Sequence, residues 1–301
     1  MDKKNITILI LGMVGVILFL SFQEAQAVPS FERQTGLSCF TCHTVYPELT
    51  PVGRKFKLGG YTMSKSDKFF EFPPPLAGFA QLSFTHVNSK LPPDYLDDEW
   101  SNRITSSGNN VLNIPQEASI LYGGKVIGRM GAFIQGTFDG IENTFLLDLT
   151  DVRYANSTTI NGKNLIYGIT LNNSPTVQDV FNSTPVWSFP SESSSVAPSP
   201  AAGTVIDGSL DQQVGGIGIY AFWDDLLYLE ASLYHTTKDS IFHPLGAGTH
   251  PDMVVDDLAP YWRIALQNSG ENMEFLLEHM VLLREYFQMA KTVDLQINSP
   301  T

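Results

Sequence analysis

Cys39-Phe40-Thr41-Cys42-His43 sets two thiols at positions i and i+3, with an imidazole directly after the second. That spacing lets two cysteines add to the vinyl groups of one porphyrin while the histidine reaches the iron from the proximal side, as in the C-x-x-C-H attachment sequence of a c-type haem. A structural zinc site asks for four ligands, and Cys39 and Cys42 are the chain's 2 cysteines. A thioredoxin-like redox pair asks for a strand-to-helix setting, whereas the flanks here read Thr35-Gly-Leu-Ser38 and Thr44-Val-Tyr-Pro47. The residues therefore predict one covalently attached haem c on Cys39 and Cys42, with His43 as proximal iron ligand.

A second axial ligand would decide whether such a haem carries electrons or binds small molecules. Met63 follows the pair Gly59-Gly60, which could let the chain fold back over the distal side. Methionine there would raise the reduction potential, which suits a weak electron donor; ordinary packing is the competing role. His86 is the rival, but the alternation around it puts it with Leu82 and Phe84 on the apolar side of a strand. His235 falls on the same phase of its own strand, and His243, His250 and His279 have only their residue type to recommend them. Arg54, Lys55 and Lys57 could pair with haem propionates, with acidic residues such as Glu230, or with water.

The elements that must position these groups follow from the rest of the chain. Residues 1–27 read as a cleaved secretory signal: Lys3 and Lys4, an apolar run from Ile6 to Phe22, then Ala25-Gln26-Ala27. An uncleaved anchor is the alternative, since that run approaches spanning length. The chain carries a formal charge of −13, but residues 28–68 are basic: Arg33, Arg54, Lys55, Lys57, Lys65 and Lys68 face three acids, Glu32, Glu48 and Asp67. The acidic excess thus lies in 69–301, which argues against nucleic acid as a partner. Phe69 to Pro75 ends in three prolines and marks a junction, because such a run cannot continue a helix. The prolines and glycines before it suggest a compact haem segment with little helix.

Beyond residue 75, apolar and polar residues alternate with period two. Ala80, Leu82 and Phe84 oppose Gln81, Ser83 and Thr85; the pattern recurs at 132–139, 165–172, 227–233, 262–267 and 293–298. A soluble sandwich would bury the apolar face, whereas an outer-membrane barrel would turn it to lipid and enclose the polar one. Aromatics near strand ends (Phe222-Trp223, Tyr228, Tyr234, Tyr261-Trp262), the long polar stretch Ser191–Pro200 and the short turn Trp223-Asp224-Asp225 favour the barrel. Residues 271–288 fit either a strand or an amphipathic helix, and their neighbours favour the strand.

Val28-Pro-Ser-Phe-Glu-Arg-Gln-Thr-Gly-Leu-Ser-Cys-Phe-Thr-Cys-His43 and Pro47-Glu-Leu-Thr-Pro-Val-Gly-Arg-Lys-Phe-Lys-Leu-Gly-Gly-Tyr61 resemble the fused cytochrome-porin family of outer-membrane monohaem cytochromes. The resemblance is dense over 28–61 and one of layout beyond. It implies a mainly β protein: signal 1–27, haem segment 28–68, Pro-rich junction 69–75, and an antiparallel outer-membrane barrel over 76–301 with the haem segment as plug. Family barrels of about 16 strands need more chain than this, so the resemblance also implies a barrel incomplete at its C-terminus. In function it implies electron transfer from an extracellular donor, with Fe(II) oxidised by the best-known members, to a periplasmic c-type cytochrome or other carrier in a Gram-negative bacterium. A porin gated by its haem segment and a soluble periplasmic haem-binding β-sandwich, serving as sensor or carrier, are the competing readings. Acidic residues such as Asp97-Asp98-Glu99 would then help to gather cations.

Overall fold

A computed structural model describes residues 28–66, 68–69, 72–88, 103–106, 109–140, 143–183, 206, 210–236, 255, 257–269, 274–284, 287–291 and 296–298. The predicted signal, Asp97–Glu99, Ser191–Pro200, His243 and His250 lie outside the described residues.

The segment before the junction carries more helix than its prolines suggested. Helix α1 is Pro29–Thr35, α2 is the single turn Cys39–Cys42, and α3 is Pro51–Leu58. Pro29 and Pro51 each sit in a first turn, where the missing N–H has no intrahelical partner to lose. Thr50 caps α3 by accepting from the Gly53 amide at 3.2 Å. At the other end of α1, Gly36 takes φ +74° and returns its amide to the Glu32 carbonyl, a left-handed stop that suits glycine.

The strands are β1 (Leu76–His86), β2 (Arg103–Ser106), β3 (Asn110–Ile127), β4 (Met130–Asp139), β5 (Thr144–Ile160), β6 (Lys163–Asn172), β7 (Val214–Trp223), β8 (Leu227–Thr236), β9 (Ala259–Ser269), β10 (Glu274–Arg284), β11 (Phe287–Lys291) and β12 (Gln296–Asn298). They pair antiparallel in the order β1-β3-β4-β5-β6-β7-β8-β9-β10-β11, with β2 beside β3 and β12 beside β10. Residues 274–284 are a strand, as their neighbours implied. The predicted segment at 293–298 is described only over β12. Strands β3, β5 and β7 escaped the alternation pattern. Register shifts opposite β3 and β5 break the period, and Gly215, Gly216 and Gly218 leave one stretch of β7 without side chains to alternate.

Which face is covered is the defining property of this sheet. Leu82, Phe84, Ile120, Ile217 and Ile219 are all more than half exposed, whereas Asp151, Arg153, Thr170, Glu230 and Arg263 on the opposite face are buried. Strand β8 shows it residue by residue: Leu229, Ala231, Leu233 and His235 are exposed, and Tyr228, Glu230, Ser232, Tyr234 and Thr236 are buried. The aromatics expected to form an interfacial belt do not do so as a group. Phe222, Tyr228, Tyr234 and Tyr261 share the parity of the polar residues and are buried with them, leaving Trp223 and Trp262 partly exposed on the apolar side.

The two ends of the sheet also differ. At the end where the chain enters, the turns are short. Gly128-Arg129 joins β3 to β4, Asn161-Gly162 joins β5 to β6 with both residues at positive φ, and Asp224-Asp225-Leu226 joins β7 to β8. At the far end the connections include residues 87–102, 140–143, 173–213 and 237–258, along with the two-residue 285–286 between β10 and β11. Among the described residues, β1 and β11 end the hydrogen-bonded path without pairing to each other. The fold is thus an open antiparallel sheet, and the closed barrel expected from the sequence is not formed by the described strands.

Candidate functional site

The two thiols and the imidazole converge because α2 is one helical turn. The His43 amide donates to the Cys39 carbonyl at 3.0 Å, which sets both cysteines and the histidine around the same turn. Below it runs α3. Thr50 donates its hydroxyl to the Thr41 carbonyl at 2.6 Å and its amide to the Cys42 carbonyl at 3.0 Å. One residue therefore caps α3 and satisfies the carbonyls that α2 leaves open. Gly53 is needed for the approach: a β-carbon there would stand 2.3 Å from the Cys42 carbonyl oxygen.

His43 Nδ1 lies 3.2 Å from the Glu48 carbonyl oxygen. A carbonyl only accepts, so Nδ1 carries the proton and Nε2 keeps its lone pair. Burial pushes the imidazole pKa down, against the pull of the Glu48 and Pro47 carbonyls, which favours the neutral ring. Both thiols are free and part-exposed; burial raises both, with Glu32 adding to the effect at Cys39. Phe40 is 81 % exposed and Val45 65 %. Two thiols, a ligand-ready Nε2 and uncovered apolar side chains beside them fit a covalently held haem. Cys39 and Cys42 would hold it and His43 would ligate the iron.

The segment rests on the buried polar face of the sheet. The Tyr61 hydroxyl donates to Asp151 Oδ2 at 2.6 Å, and the Tyr220 hydroxyl donates to the Leu58 carbonyl at 2.7 Å. Asp151 also receives Arg153 Nε at 2.6 Å and the Thr170 hydroxyl at 2.9 Å. Gly59-Gly60 is not a swivel: a β-carbon on Gly60 would meet Ala155 at 3.2 Å, and one on Gly131 would stand 2.1 Å from the Gly60 carbonyl oxygen. Close approach, along with φ +69° at Gly60, is what glycine provides here.

A second layer comes from the β6–β7 connection. Residues 173–183 turn inward over the same face through a short 3-10 turn, Pro175–Gln178, and most are buried. Arg153 Nη2 donates to the Val177 carbonyl at 2.8 Å, Arg263 pairs with Asp179 at 3.5 Å, and Gln178 lies within 3.5 Å of the Tyr228 and Tyr234 hydroxyls. This run then grips the N-terminal segment. The Leu49 amide donates to the Phe181 carbonyl at 2.8 Å, and the Arg54 guanidinium sits 4.3 Å over the Phe181 ring.

The basic residues singled out from the sequence are engaged with these layers. Arg54 Nη1 donates to the Leu49 carbonyl, Lys55 pairs with Asp225 at 2.6 Å, and Lys57 Nζ donates to the Asp179 carbonyl and to Asn182 Oδ1. Glu230 accepts instead from Ser232. Met63 is tied through its backbone: its carbonyl accepts from Gln34 Nε2 at 2.8 Å, and its side chain is 41 % exposed. Gln34 binds the Tyr61 carbonyl too and accepts from the Lys125 amide, so Met63 is placed by α1 and β3, separately from the contacts that build α2. His86, His235 and His279 are exposed, the first two on the apolar side as their phasing implied.

Asp151, Tyr61 and Asn182 were not among the candidates. Asp151-Val-Arg153 carries a signal of its own, two opposite charges at i and i+2 on one face of a strand. Asn182 carries none, because its partners come from folding distant segments together. Comparison of the chain with protein-family models, curated proteins and solved structures finds no match to any of them.

Proposed function

We propose that this chain is an exported c-type cytochrome of the Gram-negative outer membrane, passing electrons from an extracellular donor, Fe(II), through one haem to a periplasmic c-type cytochrome or similar carrier. The observation that carries the reading is the reversed polarity of the sheet, apolar side chains exposed and charged ones buried, with the segment that carries Cys39–His43 tied to the polar face through Leu58 and Tyr61. A soluble sandwich buries the opposite face. Lipid is the solvent in which exposed Ile217 and Ile219 and enclosed Arg153 cost least. The short turns where the chain enters, and the two long connections at the far end, 173–213 and 237–258, accord with the periplasmic and extracellular rims of such barrels. In this reading the β1 and β11 edges are joined, directly or through further strands, since an open edge in lipid leaves backbone groups unpaired.

Bound haem supplies a one-electron iron couple. The chain supplies the rest: Cys39 and Cys42 fix the group, His43 presents Nε2, and the sheet holds the segment in place. A porin gated by a movable haem segment is the competing reading. The buried hydrogen bonds from Tyr61 and Tyr220 favour a fixed insert. Co-expression with a cytochrome c maturation system tests the proposal. A haem-staining band surviving denaturation in the outer-membrane fraction, and reduction of the oxidised protein by Fe(II), are expected. Recovery in the soluble periplasm would overturn the membrane assignment. Reduction by dithionite but not by Fe(II) would overturn the donor.

A further inference from the structure

Resting on that reading, we propose that Asn182, from the inward β6–β7 connection, is a positioning residue for the proximal histidine and so tunes the potential of the haem. Asn182 Nδ2 donates to the Pro47 carbonyl at 3.1 Å, while its Oδ1 accepts from Lys57 Nζ at 2.7 Å. One residue earlier, the Phe181 carbonyl accepts from the Leu49 amide at 2.8 Å. These two bonds bracket Glu48, whose carbonyl receives His43 Nδ1–H. The three-residue stretch that orients the proximal imidazole is thus held at both ends by a connection more than 130 positions away in the chain.

Asn182 itself has φ +58°, a left-handed conformation that asparagine tolerates better than other residues with a side chain. The Pro47 carbonyl fixes which amide atom faces it, because a carbonyl can only accept: the nitrogen must turn to Pro47, which leaves the oxygen to receive Lys57 Nζ. Backbone conformation and amide orientation are both specified, at a residue that touches neither thiol nor imidazole. An imidazole that donates firmly through Nδ1 is a more basic ligand through Nε2 and favours the oxidised iron. Loosening the Pro47–Leu49 stretch weakens that donation, so the potential rises.

The test uses the full-length haem-loaded protein in detergent or lipid. Asn182→Leu keeps the branched outline and removes both polar atoms; the midpoint potential is expected to shift upward, and the His43 Nδ1 proton, followed by NMR in the oxidised protein, to exchange faster with solvent. Asn182→Gln, able still to reach Pro47, should return both readouts toward the starting protein. Ser183→Ala, which removes a bond to Asp179 from the same connection, should move neither. If Asn182→Leu does not assemble, a His43 Nδ1 proton that exchanges in the unaltered protein as fast as an exposed imidazole overturns the proposal. So does an unchanged potential in an assembled Asn182→Leu protein. Absence of covalent haem from the unaltered protein would instead sink the cytochrome reading, and the pyridine haemochrome spectrum separates that outcome from the others.

Discussion

Strand β8 and helix α3 handle charge and apolar surface differently. On β8 the leucines at 229 and 233 are exposed while Glu230 is enclosed; on α3, Arg54 and Lys57 are buried together with Phe56 and Leu58. The helix can bury cations because the inward connection supplies a carbonyl and an amide oxygen to Lys57, and Leu49 just before the helix supplies a carbonyl to Arg54. The sheet can enclose charge because the helical segment covers it. Neither surface would be stable in water alone: each provides the polar partners that the other needs. The difference teaches that the N-terminal segment and the polar face of the sheet pack as one unit, each completing the hydrogen bonding of the other.

That interdependence gives the largest expected effect. Asp151→Ala strips the partner from Arg153 and the acceptor from Tyr61, both fully or nearly fully enclosed, and should cost about 3–5 kcal/mol. Urea unfolding followed by tryptophan fluorescence would measure it, and a loss within the range of surface substitutions would break the comparison. On the opposite face, Ile219→Lys should cost about 2–4 kcal/mol if that face meets lipid near its midplane. Equal folding yields of this variant and the parent in lipid vesicles would show that the exposed face meets something else.

A smaller effect sharpens the helix side. Burial, reinforced by Arg153 and Arg263 and opposed by Asp151 and Asp179, pulls the Lys57 ammonium down to about 7. A buried lysine below its unfolded pKa means that the unfolded chain binds more protons between that pH and the usual lysine range. The Lys57 contribution is therefore least favourable below pH 7 and improves as pH rises above it, by at most about 1.4 kcal/mol per pH unit. Protease protection of the N-terminal segment should increase from pH 7 to pH 9, and Lys57→Met should flatten that dependence. A slope unchanged by the substitution would assign it to another group.

Legibility differed between the parts. The convergence of Cys39, Cys42 and His43 on one turn was legible, because it depends on spacing over five consecutive residues. Faces of β1, β6, β8 and β9 were legible because period two survives wherever the ladder is regular. The helices of the N-terminal segment were not legible from its prolines: Thr50-Pro51 is a cap followed by a first-turn proline, and prolines alone suggest irregular chain. The aromatic belt failed because Phe222, Tyr228, Tyr234 and Tyr261 were counted by position along the strands and not by parity.

The sequence by itself determined the local facts: the Cys39–His43 turn, the alternation of the strands, the junction of prolines and the short turns at Asn161-Gly162 and Asp224-Asp225. Each depends on residues within a few positions, where backbone geometry and side-chain type suffice. Only the tertiary structure decided that Tyr61 meets Asp151, that Asn182 reaches Pro47 and Lys57, and that residues 173–183 turn inward. Those contacts join segments from 90 to 135 positions apart. No local preference encodes them; they form because burying a charge or a carbonyl requires a partner, and folding is what brings the partner within reach.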